Sequence, residues 1–321
     1  MGTGEGGPGQ SPRDVTNRAR SLAALVEARV PPAWRRRRRL MIAGAVLLAV
    51  IALIIATWPT MPRHPAPGTR VFPIDHRVVL RLVHSTGSVR VRAGPDGQVS
   101  VTEHRSGITD AIHTRYRQQG DVITVTVSVE SGLPTATWVD FVVAVPQDTS
   151  ARVAVAAGTV KAAGLTGNFV LRDTNGSISA ANISGAIALQ TASGSISTSR
   201  VSGQVSAITG NGTITTTSTR LRGHSLVRAQ NGTINFHGSL DPGSHAVFRN
   251  TNGAIGVTLQ RGSSVLVDAR THFGSINSGF SSVHVSSDSA GRVANGRVGR
   301  RASARLSIQT MGGSIDLSHG T

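Results

Sequence analysis

Asn175-Gly176-Ser177-Ile178, Ser193-Gly194-Ser195-Ile196, Asn211-Gly212-Thr213-Ile214 and Asn231-Gly232-Thr233-Ile234 are four renderings of one phrase, set 18, 18 and 20 residues apart. It continues as Gly253-Ala254-Ile255, Gly274-Ser275-Ile276 and Gly313-Ser314-Ile315, the last after a gap of 39 residues that has room for two units. Within the first part the glycines keep a shorter beat, falling at 158, 167, 176, 185, 194, 203 and 212, every nine residues. Such a unit is too short for a pair of helices, and apolar residues inside it alternate with period two, as in strands. The simplest solution is one coil of a parallel β-helix per unit, with the isoleucines stacked along an inner rung and each strand bonded to the coil beside it. Residues 151–321 then give about eight or nine coils, a rod of roughly 40 Å at about 4.8 Å per coil. Asn precedes the rung glycine at 175, 211, 231 and 252. Both residue types tolerate the positive φ of a sharp corner, and stacked Asn side chains can bond one another. A β-sandwich would also use Asn-Gly turns, but it offers no reason for a nine-residue beat.

Upstream, residues 71–150 alternate without the long repeat. Val89 and Val91 interleave with Arg90 and Arg92, while Ile123, Val125, Val127 and Val129 interleave with Thr and Ser. Val139, Phe141, Val143 and Val145 follow. These read as half-buried strands forming a lead-in that covers one end of the solenoid.

Before them lies an anchor. Leu40 to Trp58 holds 19 residues without a charge, and a helix of that length spans about 28 Å, close to a bilayer's hydrocarbon thickness. Arg35, Arg36, Arg37, Arg38 and Arg39 precede it directly, and only Arg63 and Arg70 follow within the next dozen residues. Arginine costs about 2.5–3.5 kcal/mol at the bilayer centre, and basic flanks stay cytoplasmic, so the five arginines orient the chain with its C-terminal bulk outside the cell. The run is longer than a signal peptide's apolar region and ends in Ala-Thr-Trp-Pro, which lacks a small-x-small cleavage site. The expected organisation is a cytoplasmic basic tail (1–39), a transmembrane helix (40–58), a Pro-rich stalk (59–70), the lead-in (71–150) and the solenoid (151–321). In the tail, Gly2, Gly4 and Gly7 spell G-x-G-x-x-G without a preceding strand, which is no nucleotide site.

The phrases Asp173-Thr-Asn-Gly-Ser-Ile178, Asp268-Ala-Arg-Thr-His-Phe-Gly-Ser-Ile276 and Leu306-Ser-Ile-Gln-Thr-Met-Gly-Gly-Ser-Ile-Asp-Leu317 resemble the bacterial "putative adhesin" domain family of uncharacterised function, over roughly residues 74–317. That resemblance implies a single-pass membrane protein with a β-helical body, and through some relatives a link to envelope-stress signalling.

Composition narrows the chemistry. The chain has no cysteine, which excludes thiolate catalysis, disulfides and cysteine-held metals. Beyond residue 148 the acids are Asp173, Asp241, Asp268, Asp288 and Asp316, with no glutamate, and no two lie close in sequence. Glycoside hydrolysis normally needs two carboxylates about one bond, so a carbohydrate-active enzyme is the weakest of the readings. Calcium-binding nonapeptide repeats carry an Asp in each turn, whereas Ser, Thr or Ala stand around these glycines. The 11 histidines are scattered, and no Gly-x-Ser-x-Gly elbow occurs. The expectation is therefore a non-catalytic surface without cofactor or metal.

The net charge of +17 is nearly all arginine, Lys161 being the only lysine; residues after 60 contribute 24 basic against 13 acidic groups, or +11. A basic body suits anionic partners. Arg292, Arg297, Arg300, Arg301 and Arg305 are the densest basic stretch beyond the span, in a Gly-rich segment that reads as a loop, and are the candidate contacts to an anionic partner, wall polymers or lipid headgroups; the domain as a whole is expected to meet anionic envelope polymers or another envelope protein. Ser and Thr rows would form hydroxyl-rich outer faces. Nucleic acid is excluded as a partner by the outside location and the lack of aromatics for base stacking. The function expected is adhesion or scaffolding at the bacterial envelope; the alternative is an envelope-stress sensing subunit whose tail reports binding outside.

Overall fold

Inward residues explain the rungs. In the strand Ile187–Ser193, Ile187, Leu189 and Thr191 are buried while Ala188 and Gln190 face out. After Gly194 the strand Ile196–Gly203 buries Ile196, Thr198 and Val201. The computed structural model describes residues 68–130 and 137–320, and there this two-strand unit is stacked on itself in parallel register. One column of rungs runs Val89, Val160, Ile178, Ile196, Ile214, Ile234, Ile255, Ile315 and Ile276, each paired with the next. From Val160 onward that is eight coils, as the repeat predicts. Every member of the column is buried, all but Ile276 completely. Full burial of such a side chain contributes about 1.5–3 kcal/mol.

Glycine recurs because the corners leave no room for a side chain. A Cβ on Gly194 would lie 1.9 Å from the carbonyl oxygen of Gly176, and one on Gly212 would lie 2.1 Å from that of Gly194. A second column does the same at the other corner, where a Cβ on Gly203 would lie 1.9 Å from the Gly185 carbonyl oxygen. The nine-residue beat is these two columns counted alternately. The Asn residues before the corners do not take the positive φ. Among the described residues the non-glycine positive φ values belong to Asn182, Arg200 and Ser218, at 52°, 51° and 53°. These sit 18 residues apart in three successive coils, and Arg200 Nε donates to Asn182 Oδ1 at 2.5 Å. The Asn side chains instead form a ladder outside the corner: Asn252 Nδ2 donates to Asn231 Oδ1, and Asn231 Nδ2 to Asn211 Oδ1, both at 2.9 Å. Asn175 is cut off from it by Ser193.

Just inside this ladder runs a column of buried polar residues, each three positions before its corner glycine. Thr191, Thr209, Asn250, Thr310 and Thr271 donate to the carbonyls of Gly176, Gly194, Gly232, Gly253 and Gly313 of the adjacent coil, at 2.8–3.2 Å. His84 holds the same place before Gly87, with Nε2 2.8 Å from the Val139 carbonyl. Asp173 also holds it, and is the exception considered below.

Three sequence expectations need correction. First, the order of coils is not the order of the chain. The last coil, Ala304–Gly312 and Ile315–His319, inserts between His245–Leu259 and Val265–Ser278. Second, the 39-residue gap holds that single coil and an antiparallel excursion, Val283–Asp288 with Gly291–Val298, which pairs back onto Val265–Phe273. Third, Arg292 and Arg297 lie on the strand Gly291–Val298 and Arg305 on Ala304–Gly312, so only Arg300 and Arg301 occupy a loop. Alternation in the segment was masked by its glycines and arginines.

The lead-in joins the same stack. Val78–Ala93 pairs in parallel with Thr149–Thr166 on one side and with Val122–Val129 and Trp138–Val145 on the other. Ile112–Gln119 and Gln98–Ser106 then add antiparallel edges. Parallel pairing thus gives way to antiparallel pairing at both ends, and one hydrophobic cluster runs from Ile74 to Leu317. The described residues belong to one compact unit, His64–Thr321. Among them no helix is long and apolar enough to cross a membrane. The anchor expected at 40–58, its orienting Arg35–Arg39, the tail and most of the stalk lie outside the described residues.

Candidate ligand-binding surface

Period two gives each strand one outward row, and parallel register carries that row from coil to coil. On the strands preceding the rung glycines, the outward row runs Arg172, Gln190, Ile208, Arg228, Arg249, Gln309 and Arg270. The row two residues earlier begins with paired Arg81 and Arg152, and in the row two residues before that one His224, His245 and Arg305 stand side by side. Arg297 is two strands from Arg305, with Leu266 between them. Across these strands Asp268 faces the same side, bonding Arg270 at 3.4 Å with both side chains more than half exposed. An ion pair that exposed contributes little, about 0–1 kcal/mol.

Arginines are thereby concentrated on one strand face. Arg228 and Arg249 are direct neighbours in register, an arrangement that costs free energy in a sheet unless an anion lies over it. Between them and Arg270 the surface dips into an open trough of about 430 Å³, lined also by Thr251, His272, Gln309 and Met311.

The opposite strand face differs in kind. Its outward row runs Arg90, Lys161, Ser179, Ser197, Thr215 and Asn235, then Gly256 and Asp316. This is the hydroxyl-rich wall the sequence predicts, basic at one end only.

The five arginines singled out in the sequence are dispersed. Arg300 and Arg301 line a cavity of about 740 Å³ with Arg261, Gln260, Phe280 and His319. Arg305 and Arg297 belong to the basic strand face, and Arg292 stands at the other end of its strand, about 17 Å from Arg297 at about 3.3 Å per residue. Sequence proximity missed Arg228, Arg249 and Arg270, which lie 21 residues apart at the same place in successive repeat phrases. The repeat spacing itself was the available signal.

Carboxylates are engaged locally. Asp241 is held by Arg220 Nε and by Arg222 Nε at 2.9 Å; burial would raise its pKa, and the two arginines bring it below the usual range. Asp316 accepts from Asn277 at 2.8 Å, and Asp288 from the Ala290 amide at 2.8 Å. Glu103, 8% exposed, accepts from Arg105 Nε at 2.7 Å and from the hydroxyls of Thr114 and Tyr116 at 2.6 Å. Burial acts against its charge, but those donors outweigh it and hold the carboxyl low. Burial, then Glu103 itself, raises the Tyr116 phenol. This knot ties the two antiparallel edge strands, Gln98–Ser106 and Ile112–Gln119, to each other.

Asp173 differs. It is 3% exposed, neither carboxyl oxygen has a well-formed hydrogen bond, and burial, only partly offset by the nearby Asn175 amide, pushes its pKa up to about 6. Its place in the polar column calls for a donor to the Gly158 carbonyl, which a carboxylate cannot be and a neutral acid can. Among the described residues no group of three or more His, Asp or Glu is placed to hold a metal ion.

A family model for Toastrack DUF4097 matches residues 80–318. The chain belongs to that family. In this toastrack domain the match runs from the first parallel strand to the last rung, so lead-in and solenoid are one family unit. Solved structures similar to it include a "putative adhesin" from Parabacteroides distasonis ATCC 8503, at 10% identity over 78% of this chain and 96% of that one, with a TM-score of 0.44. A "putative adhesin" from Parabacteroides merdae ATCC 43184 matches at 10% identity over 78% and 96%, with a TM-score of 0.43. A "putative cell adhesion protein" from Clostridium sporogenes ATCC 15579 matches at 11% identity over 79% and 100%, with a TM-score of 0.30. At these scores the likenesses carry no argument about the toastrack domain's partner. None of the curated proteins matches the chain.

Proposed function

We propose that the protein is a membrane-anchored, extracytoplasmic adhesion module that presents its solenoid wall to an anionic partner at the bacterial envelope, without catalysis. The observation that carries this reading is the gathering of exposed arginines onto one strand face, with Arg228 beside Arg249 and, among the described residues, neither of them in an ion pair. Like charges stacked at the spacing of neighbouring strands weaken the fold; a surface that keeps them suits a counter-charged partner. The anchor rests on the uncharged stretch Leu40–Trp58 and the arginines before it. The local engagement of Asp241, Asp288 and Asp316 supports a non-catalytic role, since none is left paired with a second carboxylate as an acid–base couple requires.

The test is retention of the full-length protein on washed bacterial envelope fragments. Retention that weakens steeply with added salt is expected. Retention no greater than that of an uncharged control protein, or a C-terminal tag shielded from protease in intact cells, would refute the reading.

A further inference from the structure

Resting on that reading, we propose that the trough formed by Arg228, Arg249, Gln309 and Arg270 binds a linear acidic polysaccharide, one carboxylate per sugar, laid across the strands along the solenoid axis. The four residues are consecutive in register, so they offer the sequence cation, cation, amide, cation. Neighbouring positions are about 4.8 Å apart, and Arg228 to Arg270 covers about 14 Å. A chain of sugars advances by nearly one strand spacing per residue, and alternate sugars of a two-fold chain present their acid groups on one side, so acid groups two sugars apart can meet Arg249 and Arg270 with one sugar over Gln309 between them. An arginine fork binds a carboxylate through two parallel N–H donors. Gln309 supplies a neutral donor and acceptor for the hydroxyls of an intervening sugar, and Thr251 adds a hydroxyl on the trough's wall.

Other occupants fit less well. The trough is concave, so a chain can enter it where a flat bilayer would meet only its rims. Its lining has no Phe, Tyr or Trp for stacking nucleic-acid bases. The cavity around Arg261, Arg300 and Arg301 is larger but partly carried by loops. Strand-borne side chains hold their spacing better than loop-borne ones, and the trough's cations all lie on strands.

Binding of the full-length protein to polygalacturonate is the test, with dextran, polyglutamate and phosphatidylglycerol vesicles as comparison probes. The triple variant Arg228→Gln, Arg249→Gln, Arg270→Gln should bind polygalacturonate at least tenfold more weakly. Arg81→Gln with Arg152→Gln, on the same face outside the trough, should change it less than threefold. Circular dichroism of both variants checks that the fold is kept. Equal losses in the two variants, equal affinity for polyglutamate, or vesicle binding that the triple variant loses as steeply as polygalacturonate binding would overturn the proposal. Retention on envelope fragments without polygalacturonate binding would sink this inference alone; absence of both would sink the adhesion reading with it.

Discussion

Ile255 and Ile315 are parallel neighbours in one rung column although sixty residues separate them, and Ile315 also pairs with Ile276. The chain therefore builds the coil ending at Leu259, builds the one containing Ile276, and closes the space between them last. The final coil is bonded on both sides and buries Leu306, Ile308, Ile315 and Leu317.

Removal of residues 304–321 should accordingly do more than shorten the rod. It leaves the edges of His245–Asn252 and Val265–Phe273 without their common partner, and exposed parallel edges invite association. The truncated protein is expected to lose its cooperative thermal transition or to self-associate in analytical ultracentrifugation. A monomer melting within a few degrees of the full chain would contradict the insertion.

Corner glycines should split into two classes by space. Gly194→Ala places a methyl against the Gly176 carbonyl oxygen at 1.9 Å and should cost more than about 3 kcal/mol in urea unfolding. Gly97→Ala has a positive φ of 74° but nothing within 4 Å, so only the backbone preference is lost, about 1 kcal/mol. Similar costs at the two sites would refute the stacked-corner geometry.

Asp173 makes a prediction with a definite sign. Its folded pKa, about 6, lies above the unfolded value of about 3.9, so between those values the native state holds a proton that the unfolded chain has released. Stability from this group is present below about pH 4 and lost as pH rises through about 6. Asp173→Thr restores the hydroxyl donor its neighbours use, and should raise stability by up to about 3 kcal/mol at pH 8 while changing little at pH 4. Melting curves at the two pH values decide it; a variant less stable at pH 8 would show that the carboxylate is wanted there.

His84 acts in the opposite direction. Burial lowers its pKa, against the pull of the Val139 carbonyl and of Asp140 and Glu103. The unfolded chain thus takes up its proton first, and stability falls as pH drops below about 6.5, the ordinary histidine value. His84→Gln keeps a neutral donor toward Val139 and should flatten the change in Tm between pH 7 and 5. An unaltered slope would assign the acid sensitivity to other groups.

The rungs, the corners and the number of coils were legible in the sequence because each is a local requirement repeated at a fixed spacing. An inward strand position needs an aliphatic residue at Ile178, Ile196 and Ile214, and a corner against a neighbouring carbonyl needs glycine at 176, 194 and 212. The Asn ladder was legible for the same reason, except at Asn175. The role of Asp173 was less so: at sequence level it looks like Asp268, and only burial separates the inward acid from the outward one.

What the sequence determined alone is the identity of the repeating unit, since every coil satisfies the same short-range steric and hydrophobic demands. Which coils become neighbours was decided by the tertiary structure. Parallel strands related by a Gly-Ser-Ile phrase pair equally well with any coil bearing it, so local pattern cannot rank Ile276 above Ile315 as the partner of Ile255. That choice depends on the antiparallel hairpin ending at Val298, which occupies the outer edge of Val265–Phe273. The same long-range register brings Arg228, Arg249 and Arg270 into one trough while sending Arg292 and Arg301 elsewhere, because a surface is made by strand neighbours and not by chain neighbours.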